Sequence, residues 1–270
     1  MQVFVHFEMI SRRAGLKSRM PGRVPVDFYN DICQSPRCIF GFLRTSYPPF
    51  STMIQLSHLS MWYPTEDGPL DVLSDVQLSI KKGETVAIAG PSGSGKTTLL
   101  LLLAGLEQPR DGEIKLAGVS LTSLDADQLA DVRSRDLGII FQSFHLIPSL
   151  TALGNVALPL EITGQESARE KARDMLEKVG LRNREKHYPT QLSGGEQQRI
   201  AIARALVHSP KLVLADEPTG NLDHQTGARI TDLLFHLNRE AGSTLIIVTH
   251  DESIAQRCQR VLHLHEGRLT

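Results

Sequence analysis

Apolar residues alternate with polar ones from Ile54 to Met61 and again from Val72 to Ile80. Period-two alternation predicts half-buried antiparallel strands, and turn residues follow at Glu66-Asp67-Gly68 and Lys81-Lys82-Gly83. Beyond Gly83 the pattern changes. Thr85 to Ala89 is a short apolar run, and Glu113–Leu116, Gly138–Phe141, Leu212–Ala215 and Leu245–Val248 are further runs rich in Ile, Val and Leu. These predict buried parallel strands, whose two covered faces leave no polar alternation. Helical periodicity separates them at Thr98–Leu106, Gln128–Arg135, Ser167–Val179, Glu196–Val207 and Gln225–Glu240, the last with an apolar face at Ile230, Leu233, Leu234 and Leu237. The expected fold class is α/β: a mostly parallel core sheet, an antiparallel β flank, and a helical insert at about 143–195.

Residues 1–52 lack any such period. They hold seven Lys/Arg against three acids, so the segment carries +4 and the rest about −5 of the net −1. With Pro21, Pro25, Pro36, Pro48 and Pro49 in it, this stretch reads as a disordered or mis-assigned N-terminal extension, with Met53 as the expected real start of the protein. Ser11 to Lys17 partly matches a twin-arginine export signal, but no apolar segment follows it. The 270 residues are 41% apolar and 22% charged, as in an ordinary globular chain, and the balance of charge gives no support to nucleic-acid binding by bulk electrostatics. The most apolar stretch, Leu99 to Leu106, is far shorter than the roughly eighteen residues a membrane span needs. Cys33, Cys38 and Cys258 make neither a disulfide framework nor a zinc site, so a reducing compartment is expected.

Candidate chemistry starts where the strand Thr85–Ala89 ends. Gly90-Pro91-Ser92-Gly93-Ser94-Gly95-Lys96-Thr97-Thr98 fits G-x-x-x-x-G-K-[ST] between a strand and a helix. Small residues let successive backbone N–H groups wrap phosphates. Lys96 would reach the β- and γ-phosphates, Thr97 would ligate Mg²⁺, and the helix N-terminus would lie beneath the charge. Farther on, Leu212 to Ala215 ends in Asp216 and Glu217, placed to hold Mg²⁺ through water and to orient or deprotonate an attacking water. Upstream of it, Leu192-Ser193-Gly194-Gly195-Glu196-Gln197-Gln198 is a glycine turn before a helix. It reads either as an anion-binding turn or as a capping box of Ser193 with Glu196.

Taken together these segments resemble the motif set of the ATP-binding cassette (ABC) ATPases, over 53–270 and not over 1–52. Leu192–Gln198 is similar to the signature sequence, Gln142 to the Q-loop, Asn221-Leu222-Asp223 to the D-loop and His250 to the switch histidine, while Tyr63, rather than Trp62, matches the aromatic that stacks on adenine. The resemblance implies a P-loop NTPase fold of the ABC type and an ATPase using ATP and Mg²⁺. Its catalytic residues would be Glu217, His250 and Gln142, and its metal would be held by Thr97, Gln142 and Asp216. It also implies a homodimer in the ATP-bound state, in which Ser193, Gly194 and Gly195 of one chain complete the nucleotide site of the other, with Asp223 of the D-loop also counted among the nucleotide-binding residues.

Phe141 to Pro148, Leu150 to Ala152, Asn155-Val156 and Ala215 to Asp223 resemble the LolD/MacB-type group of these ATPases, and Asp232 to Glu240 is similar to YbbA-type members. This implies an integral-membrane permease of FtsX/MacB type, gripped through the surface near Gln142 to Leu160. The expected location is the cytoplasmic face of the inner membrane, with no nucleic-acid partner. The alternative is a non-transport ABC ATPase acting on DNA or ribosomes. Only 97 positions separate Lys96 from Ser193, too few for the long coiled coil of the DNA-repair type, and the chain carries one cassette rather than the ribosomal type's two.

Overall fold

The computed structural model describes residues 52–66 and 68–270. Strand β1 (Thr52–Thr65) turns into β2 (Gly68–Lys81), followed by β3 (Thr85–Ala89), α1 (Lys96–Leu103), β4 (Asp111–Leu116), β5 (Val119–Ser120) and α2 (Ala126–Asp136). Then come β6 (Leu137–Ile140), α3 (Ala152–Ile162), α4 (Ala168–Lys178) and α5 (Gly194–Leu206). The chain closes with β7 (Leu212–Asp216), α6 (His224–Ala241), β8 (Thr244–Val248), the short α7 (Glu252–Ala255), β9 (Arg260–His265) and β10 (Arg268–Leu269). The antiparallel sheet has the order β2-β1-β4-β5 and the larger sheet β10-β9-β3-β8-β7-β6, parallel from β9 through β6.

Alternation in β1 slips by one residue midway. Ile54 and Leu56 face the core opposite Ile80 and Leu78, but the next buried positions are Leu59 and Met61. A bulge at His58, with φ 51°, absorbs the extra residue. Across from it, Gly112 has no choice: a Cβ there would stand 2.4 Å from the His58 carbonyl oxygen.

The parallel strands are apolar throughout because each face meets a different core. Leu212 and Leu214 of β7, with Ile246 and Val248 of β8, pack on α1 and the antiparallel sheet; Val213, Ala215, Leu245 and Ile247 pack on α5 and α6. Each fully buried Leu, Ile or Val among them is worth about 1.5–3 kcal/mol of transfer free energy. This packing fixes which strand ends sit side by side at the carboxyl edge of the sheet.

Glu113–Leu116, expected as a buried parallel strand, is instead the antiparallel β4, paired with β1 through Ile54↔Leu116 and Leu56↔Ile114. Its alternation of Ile114 and Leu116 with Glu113 and Lys115 suits a sheet with one covered face. Strands β5, β9 and β10 carry too little continuous apolar sequence to have been expected. The insert supplies α3 as well as the anticipated α4, and Pro159 sits inside α3. Thr52, the first of the described residues, pairs with Lys81. The basic stretch before it, Cys33 and Cys38, and Asp67 of the first turn lie outside the described residues. Cys258 is half-buried and burial pushes its thiol up to about 11. Among the described residues no helix is long and apolar enough to cross a membrane.

Candidate functional site

Strand β3 lies between β8 and β9 in the parallel sheet, and its C-terminal end delivers the glycine-rich loop to the crevice where such sheets bind ligands. Gly90 is required by close approach: a Cβ there would meet the Leu264 carbonyl oxygen at 2.2 Å. Gly95 turns into α1 with φ 96°, a left-handed conformation that costs glycine little. Lys96 folds back over the loop, its Nζ donating to the carbonyls of Gly90 (2.9 Å) and Pro91 (2.7 Å). Two of its three protons are thus used locally, leaving one for an anion.

The neighbouring strand ends add carboxylates. Thr97 Oγ1 donates to Asp216 Oδ2 at 3.2 Å, joining the loop to the end of β7. Burial, reinforced by the charge of Glu217, pushes the Asp216 carboxyl above its ordinary range, against the pull of the Thr97 hydrogen bond and of Lys96. Glu217 follows in a left-handed conformation, φ 43°, with its N–H donating to the Val248 carbonyl at 2.9 Å. Its Oε1 lies 2.8 Å from Nδ1 of His250, just beyond β8. An ionised carboxylate only accepts, so the pair places a hydrogen on Nδ1. Glu217 is mostly shielded, and the His250 ring is exposed.

Gln142, after β6, is held by Asn221: the Asn221 Nδ2 donates to the Gln142 carbonyl at 2.9 Å, and Gln142 Nε2 approaches Asn221 Oδ1 at 3.5 Å. Tyr63 donates its hydroxyl to Glu107 Oε2 at 2.5 Å, and that hydrogen bond raises the phenol above its ordinary value. Tyr63, the loop from Gly90 to Thr98 apart from Ser94, Gln142, Asp216, Glu217 and His250 line one open cavity of about 860 Å³. Ser94 is buried beneath the loop with an unpartnered Oγ, and Trp62 is not among the lining residues. Leu70 and Val72 of β2 complete the wall beside Tyr63. Sequence reasoning passed over them, although the hairpin pairing Tyr63↔Leu70 could have placed Leu70 there.

Ser193, Gly194, Gly195 and Asp223 do not line this cavity, although Asp223 shares another one with Glu217 and His250. They line a second surface cavity of about 640 Å³ with Glu196, Asn221, Leu222 and Thr226. The capping box is formed: Glu196 N–H donates to Ser193 Oγ (3.3 Å), while the Glu196 carboxylate accepts from the Ser193 N–H and hydroxyl (2.9 Å each). These bonds, the backbone one first, hold the Glu196 carboxyl below its usual range, with Arg184 adding to the effect. Asp223 caps α6 by accepting from Thr226 N–H, and its carboxyl is held below its usual range by the Thr226 hydroxyl first and by this N–H second. One chain therefore brings together the P-loop, Gln142, Asp216, Glu217, His250 and Tyr63, and keeps the signature turn apart from them.

A divalent ion fits this set as far as the donors go. Thr97 hydroxyl, Asp216 carboxylate and Gln142 amide offer hard oxygen atoms, and no cluster of three or more His, Cys, Asp or Glu suited to a metal occurs among the described residues. A site with few protein ligands, finished by phosphates and water, suits Mg²⁺ rather than a metal that needs a full protein cage.

The buried Asn155 was also missed as a structural clamp. From α3 it accepts from Ile147 N–H at 2.8 Å and donates to the carbonyls of Ile147, Leu150 and Thr151 at 3.1 Å each, fixing the loop that follows Gln142. A polar residue on the apolar face of Ala152 to Leu160 was its signal.

The ABC transporter family model matches residues 73–220. The chain is 50% identical over 223 residues to the "uncharacterized ABC transporter ATP-binding protein YbbA" of Escherichia coli K12, covering 82% of this chain and 98% of that protein. It is 53% identical over 202 residues to the lipoprotein-releasing system ATP-binding protein LolD of Legionella pneumophila strain Paris, covering 74% of this chain and 89% of that one. Among solved structures, a dimeric post-hydrolysis state of the ATP-binding cassette MJ0796, bound to ADP and Pi, superposes with a TM-score of 0.75. It shares 42% identity and covers 80% of this chain and 96% of that chain.

Proposed function

The chain belongs to the ABC transporter ATP-binding proteins, as an ATPase of the LolD-like group, and from that premise we propose that it hydrolyses ATP in a two-chain sandwich. The energy drives an inner-membrane permease of FtsX/MacB type in lipoprotein release or a related export step. The observation that carries this reading is the separation of Ser193–Gly195 from the P-loop cavity, which leaves each chain with two incomplete half-sites. The dimeric MJ0796 cassette with ADP and Pi, a relative at 42% identity, agrees with it.

In this reading Lys96 and the N-terminus of α1 bind the β- and γ-phosphates, and Tyr63 stacks on the adenine beside Leu70 and Val72. Thr97, Gln142 and Asp216 would hold Mg²⁺, whose charge would offset that of the phosphates. Glu217 orients the attacking water and takes its proton, while His250 holds the Glu217 carboxylate through Nδ1 and, where its other ring nitrogen also carries a proton, donates from it to the γ-phosphate. Ser193 and the N–H groups of Gly194 and Gly195, from the second chain, close over the γ-phosphate from the other side. The 53–270 unit docks its permease through the surface near 142–160 and so works at the cytoplasmic face of the inner membrane.

The Glu217→Gln variant tests the sandwich. With saturating Mg-ATP its mass by light scattering is expected to double, and a persistent monomer overturns the two-chain reading. Co-purification of the tagged chain from detergent-solubilised membranes with an integral-membrane protein tests the permease. Recovery in the soluble fraction on ribosomes or DNA would favour the non-transport alternative.

A further inference from the structure

Two residues after Gln142 the backbone is strained. Phe144 and His145 both adopt left-handed conformations, φ 59° and 48°, within a tight turn in which Phe144 N–H donates to the Phe141 carbonyl and His145 N–H to the Ser143 carbonyl. Neither is glycine, so the surroundings must enforce this geometry. What grips it is Arg204, in the last turn of α5: Nη1 donates to the His145 carbonyl at 2.5 Å and Nη2 to the Phe144 carbonyl at 2.9 Å. The guanidinium is bound by these two carbonyls, and burial works against its charge. The cation is thus committed to two backbone carbonyls of one turn.

That turn touches both half-sites. Gln142, within it, lines the P-loop cavity, and the Phe144 ring lies against the signature turn, 3.8 Å from where a Cβ on Gly194 would stand. Arg204 is on the helix that Ser193 caps, about 16 Å along its axis. A straight helix therefore has the signature at one end and a grip on the Gln142 turn at the other.

We propose that Arg204 is a positioning residue, which holds the strained Phe144-His145 turn and thereby sets both Gln142 at the nucleotide and Gly194 in the signature turn. The inference rests on the two-chain reading, which gives Gly194 its role at the second nucleotide. Movement of α5 as two chains close would then pull directly on Gln142. A lost Arg204 leaves the P-loop intact and lets Gln142 drift, and small misplacements near a reacting centre cost rate more than binding.

The experiment compares steady-state ATP hydrolysis by the full chain, Arg204→Met, Arg204→Lys and the double variant Arg204→Met/His145→Gly. Arg204→Met is expected to lose roughly tenfold in kcat with KM for ATP within about twofold. Glycine at 145 removes part of the left-handed strain, so the double variant is expected to regain at least half of the lost rate; a merely structural arginine predicts no such rescue. Arg204→Lys, which keeps the charge but not the fork, is expected to fall between. A wild-type kcat in Arg204→Met, a rise in KM in place of the kcat loss, or a double variant no faster than the single one overturns the proposal. Should Arg204→Met fail to fold, as judged by its thermal melt, a wild-type kcat in Arg204→Lys overturns it instead. Failure of the two-chain reading is seen separately, as a Glu217→Gln protein that stays monomeric with Mg-ATP.

Discussion

The P-loop and the signature turn are both glycine turns that open a helix, yet they are built for different tasks. At the P-loop the turn is fixed by a buried parallel strand, and it gathers a lysine, two carboxylates and a histidine from three strand ends. At the signature turn the one carboxylate in the capping box, Glu196, is spent on Ser193 and Arg184. The first has groups to move a proton; the second offers backbone N–H groups, a hydroxyl and a helix end. The contrast teaches that two glycine turns at helix N-termini differ in what their neighbours supply, groups suited to reaction at one and only groups suited to binding at the other.

The largest effect that would sharpen this contrast is expected from Lys96→Ala. It removes the charge that spans the loop and should weaken nucleotide binding at least about a hundredfold, as read by titration with a fluorescent ATP analogue. If affinity holds, the P-loop is not the reactive half. Ser193→Ala should leave binding of ATP to the single chain near wild type, abolish the Mg-ATP-dependent dimer in the Glu217→Gln background, and cost about 1 kcal/mol of stability as a lost N-cap. Urea unfolding and light scattering separate the two consequences.

The smallest effect bears on the two carboxylates. Glu196 is held below its ordinary range, so its ionised form stabilises the fold above that range, and this contribution is lost as the pH falls through its lowered value. Asp216 is raised, so the fold prefers it protonated, and stability declines as the pH rises from the ordinary aspartate value through the raised one. Glu196→Gln should therefore lower the melting temperature at neutral pH, and Asp216→Asn should raise it. Equal and like-signed shifts in calorimetry would erase the distinction between a carboxylate kept for structure and one kept for function.

How much of this could be read from the chain depended on the range of the interaction. The strand Thr85–Ala89 and the helix beginning at Lys96 were legible because apolar run, glycine turn and helix lie within a dozen residues. The direction of β4 was not, since Ile114 and Leu116 suit a parallel or an antiparallel neighbour, and the partner β1 is some sixty residues away. Strand β9, which flanks the P-loop strand, hid behind Arg260, His263 and His265. Arg204 read as an ordinary helix residue, because its partners Phe144 and His145 are distant in sequence and bind it through carbonyls that any residue possesses.

Alone, the sequence determined the periods of the strands and helices, the phosphate-wrapping turn and the order of the chemical motifs, all of which are set by backbone preferences and spacings over a few residues. Only the tertiary structure decided that Thr97 meets Asp216 across 119 positions and Glu217 meets His250 across 33, because these contacts follow from burying both faces of the parallel sheet in one strand order. The same packing decided that Ser193–Gly195 open onto another cavity than the one the P-loop lines.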